Sequence, residues 1–110
     1  MPHEEITTKK RLMVNERTAA EARALATRIQ VTQAMVNRSK SSDGYGAPYT
    51  IWQRNPKNPT RLDGTGVASL ETAKTQAHVP HWNGCAFVII SRTGRVAGQG
   101  VGTGTASWRK

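Results

Sequence analysis

The spacing of apolar residues changes several times along this 110-residue chain, and each change marks an element. From about Asn15 to Asn37 the spacing is helical: Ala22, Leu25, Ile29 and Val36 form a narrow stripe, flanked by Val31 and Met35. Thr18-Ala-Ala-Glu21 has the form of a capping box, and Asn15 is a second N-cap one turn earlier. The alanines of residues 19–26 favour helix and leave little bulk, which predicts one long helix packed closely on a sheet.

Ser39 to Pro48 is turn chemistry, broken by Gly44, Gly46 and Pro48. Tyr49 to Arg54 then alternates Tyr49, Ile51 and Gln53 with Thr50, Trp52 and Arg54, a strand pattern. Asn55 to Pro59 turns the chain, and Thr60 to Gly66 predicts a short, weak strand at a sheet edge. Ser69 caps a short helix, Leu70 to His78, which Val79-Pro80 stops. Cys85 to Ile90 is the densest apolar run and predicts a central buried strand. Arg92-Thr-Gly-Arg95 reads as a hairpin turn with Gly94 at positive φ, returning into Val96 to Val101. The expected fold is α+β: a small, mainly antiparallel sheet of three or four strands, with one long N-terminal helix and one short helix packed on one face. Residues 1–14 read as a flexible basic arm carrying Lys9-Lys10-Arg11, residues 15–102 as a single domain, and residues 103–110 as a polar tail in which Trp108 is the one large apolar side chain.

Composition narrows the class. The apolar fraction is 36%, so the core is thin and the aromatic side chains supply much of it. One cysteine makes no internal disulfide. No apolar run resembles a signal peptide or approaches the roughly 20 residues of a membrane span. The expectation is a cytoplasmic, soluble protein without a cofactor.

Charge is the strongest global signal: sixteen Lys and Arg against seven Asp and Glu give +9, with a pI near 10.7. Residues 44–110 carry only Asp63 and Glu71 against eight bases. Such a field suits a polyanion, through counterion release and steering. Cations interleave with aromatic residues at Tyr49, Trp52 and Arg54, at Lys57 and Arg61, at Arg92 and Arg95, and at Trp108-Arg109-Lys110. Trp52 has the competing reading of a core residue, given the scarcity of large companions. The predicted binding residues are Arg54, Lys57, Arg61, Arg92 and Arg95.

His78-Val-Pro-His81-Trp-Asn-Gly-Cys85 holds three potential metal ligands, but matches no common zinc spacing, and the third histidine, His3, is far away. Cys85 opens an apolar run, as a buried thiol would. No metal site is assigned. Gly98-Gln-Gly-Val-Gly-Thr-Gly104 lacks the Gly-Lys-Ser/Thr ending of a phosphate loop; its alternate glycines predict either an extended segment with one bare side, open to a ring, a backbone or a partner, or equally a floppy tail. These features predict a non-enzymatic protein that binds nucleic acid or a nucleoprotein complex. The alternative is a phage or mobile-element inhibitor or adaptor that blocks a host nucleic-acid enzyme by occupying an acidic or DNA-binding surface. The third reading is a metal-independent RNase, drawing on Glu71, His78, His81, Arg92 and Arg95.

Overall fold

A computed structural model describes residues 18–40 and 47–106. The predicted arm at 1–14, the N-cap Asn15, the glycines of the 39–48 turn and Trp108-Arg109-Lys110 lie outside the described residues. The elements are α1 (Ala19–Ala26), α2 (Gln33–Lys40), β1 (Tyr49–Asn55), β2 (Asn58–Val67), α3 (Leu70–His78), a 3-10 turn at Pro80–Trp82, β3 (Ala86–Ser91) and β4 (Val96–Val101). The strands form one antiparallel sheet in the order β2-β1-β3-β4. The α+β class and four-stranded antiparallel sheet agree with the sequence. Helix α3 connects β2 to β3, which run in the same direction with β1 between them. No described helix is long and apolar enough to cross a membrane.

In place of the single long helix, the described residues show two short ones. The capping box forms as predicted: Glu21 N–H donates to Thr18 Oγ1 at 3.1 Å and Thr18 N–H to Glu21 Oε1 at 3.0 Å. Helix α1 ends at Ala26, and Thr27 is already extended. Thr27, Ile29, Val31 and Thr32 are β-branched, which disfavours continuation. The Arg54 side chain also takes the carbonyls of Thr27 and Arg28, oxygens that a continuous helix would use internally. Thr32 restarts the helix, its Oγ1 accepting Met35 N–H at 3.2 Å. Of the predicted apolar stripe, Leu25 and Ile29 are buried, Val36 is half-buried and Ala22 is exposed; of its flank, Met35 is buried and Val31 is exposed.

The second difference concerns layers. Helices cover both faces of the sheet, not one. On the α1–α2 side lie Ile29, Met35, Trp52, Ala86, Val88 and Ile90; on the α3 side lie Ile51, Val67, Ala73, Ala77, Phe87 and Ile89. Strand β3 is apolar without alternation because both of its faces are covered, and Ala86 to Ile90 are all buried. Trp52, 8% exposed, lies across Gly64 of β2, where a Cβ would come within 2.9 Å of the ring. Its Nε1–H donates to Ser39 Oγ at 3.0 Å, and Ser39 Oγ–H donates to Met35 O at 2.8 Å.

The alternate glycines of β4 are occupied from within. A Cβ on Gly98 would touch Ile89 at 3.5 Å, and one on Gly100 would meet the Phe87 ring at 3.4 Å. At Gly102 a Cβ would collide with the carbonyl oxygens of Ala77 and Trp82. Gly104 has φ +73° beside Asn83. The bare side therefore receives an aliphatic chain, an aromatic ring and then backbone. Gly102→Ala is expected to cost about 3 kcal/mol or more, because backbone cannot step aside. Gly98→Ala, in ordinary contact, should change stability by about 1 kcal/mol or less. Urea unfolding of the two variants measures the difference, and equal midpoints would refute this packing.

Candidate nucleic-acid interface

The five predicted cations divide between opposite ends of the sheet. Asn55 pairs with Asn58 at the β1–β2 turn, whereas Tyr49, at the other end of β1, pairs with Ser91 beside the β3–β4 turn. Arg54, Lys57 and Arg61 thus belong to one end and Arg92 and Arg95 to the other, separated by a seven-residue strand of roughly 20 Å.

At the first end the three cations have different employment. Arg54 is half-buried and faces inward: Nε–H donates to Thr27 O at 2.8 Å, one terminal nitrogen to Pro59 O at 2.8 Å and the other to Arg28 O at 3.3 Å. It ties the non-helical 27–32 segment and strand β2 to β1. Arg61, 68% exposed, pairs with Asp63 at 3.0 Å, and Asp63 also accepts Asn55 Nδ2–H at 3.0 Å. Such a surface pair adds little stability, but it offsets the charge of Arg61. Lys57 is exposed on a turn built by Asn55, whose Oδ1 accepts the N–H groups of Lys57 at 2.8 Å and Asn58 at 3.1 Å.

At the second end the backbone is fixed and the charges project. Ser91 N–H donates to Arg95 O and Gly94 N–H to Ser91 O, both at 2.8 Å, with Gly94 at φ +93° as the turn requires. Arg92 N–H donates to Pro48 O at 2.8 Å, joining the turn to the start of β1. Both arginines are exposed. Lys40, absent from the predicted set, belongs here too. A Cβ on Gly94 would lie 3.2 Å from Lys40 Cδ and 3.2 Å from Val36 Cγ1, so the last turn of α2 rests on the β3–β4 turn. Neither α2 nor this turn carries an acid. Lys40 is not found from sequence because the helical period ends at Asn37 and the contact with Gly94 is remote along the chain.

The residues of the other chemical readings are dispersed. His78 Nδ1 accepts Thr103 N–H at 3.0 Å, and its ring meets Phe87 edge-on at 5.4 Å. His81 packs edge-on against Trp82 at 4.8 Å, and the buried Cys85 thiol donates to Asn83 O at 3.8 Å. Among the described residues no three His, Cys, Asp or Glu side chains gather as metal ligands. Glu71 opens α3 and His78 closes it, roughly 10 Å apart along the helix, so they do not form a local acid–base pair. Tyr49 and Trp52, proposed stacking residues, are half-buried and buried.

Arg54→Ala should lower stability by about 2 kcal/mol through loss of charge-assisted bonds to carbonyl groups. Arg92→Ala should stay within about 0.5 kcal/mol of the parent. Thermal or urea unfolding distinguishes them; an unaffected Arg54→Ala protein would remove its structural role.

No family model matches the chain, and neither a curated protein nor a solved structure matches it, so function is read from charge and geometry alone.

Proposed function

We propose that this is a cytoplasmic, non-enzymatic protein that binds nucleic acid, or a nucleoprotein complex, through its cationic surface, with the Lys40, Arg92 and Arg95 tip as the principal contact. The observation that carries the reading is the junction of α2 with the β3–β4 turn, which brings cations from two elements together where neither element has an acid. The net charge of +9 supplies the long-range attraction. Arg54 is engaged with carbonyl groups and Arg61 with Asp63, so the outer end contributes mainly Lys57. With Trp52 enclosed, binding rests on phosphate contacts more than on base stacking, and sequence discrimination is weak.

The edge of β4, which no strand covers among the described residues, favours a second reading, the phage or mobile-element inhibitor or adaptor that docks on a host protein. Salt separates the two. If Lys40, Arg92 and Arg95 each neutralise one phosphate, log K on duplex DNA should fall with log salt at a slope of about −2.7. Charge reversal of Arg92 and Arg95 to Glu should flatten that slope to about −1 or abolish binding. Lys57→Glu, at the other end, should change it less. Fluorescence anisotropy with labelled DNA and RNA measures all three proteins; identical affinity for the parent and the double reversal would sink the assignment of this tip.

A further inference from the structure

Strand β4 is an edge of the sheet. The register pairs Gly98 with Ile89 and Gly100 with Phe87, and Gly102 N–H donates to Cys85 O at 2.9 Å. By the alternation of an antiparallel ladder, the backbone groups of these glycines face β3. Those of Gln99 and Val101 face outward, with no partner among the described residues. No Pro, Lys or Glu protects the strand, Val-Ala-Gly-Gln-Gly-Val.

Two hollows accompany this edge and share Arg28 and Gln99. One, of about 620 Å³, is lined by residues 27–31, Val96 and Gln99; the other, of about 340 Å³, by Ala26, Phe87, Gly100 and Val101. Val96 is 47% exposed, Val101 40% and Val31 37%, the most exposed large apolar side chains described. Between the hollows Arg28 Nε–H donates to Gln99 Oε1 at 3.2 Å, holding a guanidinium beside the middle of the strand. Arg95 lies immediately before its first residue.

We propose that the β4 edge receives an extended acidic peptide segment of another protein as a fifth strand, read in the pattern apolar-x-acidic-x-apolar. The acidic residue stands opposite Gln99 and meets Arg28, a planar fork suited to carboxylate. Residues two positions away point to the same side, about 7 Å along, and enter the two hollows. Outward N–H and C=O groups of Gln99 and Val101 supply the ladder bonds. Charge selects this occupant over a second copy: antiparallel self-pairing centred on Gln99 would set Arg28 against its own counterpart, in a chain already at +9. Nucleic-acid binding at the Lys40–Arg92–Arg95 tip neither requires nor prevents it.

The test uses the full chain and a fluorescein-labelled peptide, Thr-Val-Thr-Glu-Thr-Val-Thr, with its Lys-centred counterpart. The Glu peptide should bind at least about tenfold more tightly, and Arg28→Glu should reverse the preference. Amide shifts on titration should centre on Gln99 and Val101. If Arg28→Glu does not fold, Arg28→Gln should erase the discrimination between the peptides. Equal binding of the two peptides, absence of binding, or shifts centred on Lys40, Arg92 and Arg95 would overturn the proposal, as would a sedimenting dimer whose Gln99 and Val101 amides are already protected from exchange.

Discussion

The indole of Trp52 is the contact on which the α1–α2 layer depends. It lies on Gly64, where the absence of a side chain lets the ring lie flat against β2, and reaches Ser39 through Nε1–H. Ser39 passes the constraint to the Met35 carbonyl within α2, so a polar chain fixes the helix's position while the ring fills the space beneath. A short helix of Gln, Asn, Arg and Lys has too little apolar surface to hold itself in place. Once α2 is anchored, its last turn meets Gly94, and Lys40 joins Arg92 and Arg95. The candidate phosphate-binding tip is thus a consequence of core packing at the same end of α2, where Ser39 precedes Lys40.

Arg54 answers the same need by electrostatics. Residues 27–32 are non-helical, and the Thr27 and Arg28 carbonyls are satisfied by no helix or strand; the guanidinium accommodates these two and the Pro59 carbonyl in one planar fork. Lys would not serve, since a single ammonium cannot span three separate carbonyls in that geometry. A high count of arginines is therefore a poor count of available cations. Here one is a strut, another is matched by Asp63, and the projecting pair stands on a rigid turn.

Much of the architecture was legible locally. The Ser69 cap, the Val79-Pro80 stop, the hairpin with positive φ at Gly94 and the buried β3 run are each written within a few neighbouring residues. What was hidden is tertiary. Leu25, Ile29 and Met35 keep helical spacing whether or not the helix breaks between them, and the Arg54 side chain that stabilises the break comes from 26 residues or more away. Two-sided cover was latent in Ala86 to Ile90, whose lack of alternation means two apolar layers, but the pattern does not say which helix takes which side. Charge count carries no position, so neither the separation of Arg54, Lys57 and Arg61 from Arg92 and Arg95 nor the arrival of Lys40 could be read from it.

The glycines of β4 link core and edge. Gly98 and Gly100 leave room for Ile89 and Phe87 to spread across the strand, and Gly102 lets the chain pass against the Ala77 and Trp82 carbonyls. The α3 side of β4 is consequently filled in part by side chains of β3, which spread over its glycines. On the opposite side Val96 and Val101 remain exposed beside Arg28, since α1 is short and the segment after it is not helical. An edge strand without a helix above it or a charge within it is an aggregation hazard unless something occupies or repels. Net positive charge opposes pairing between copies of the chain and favours an acidic strand, so the same charge bears on both self-pairing and the partner proposed for this edge.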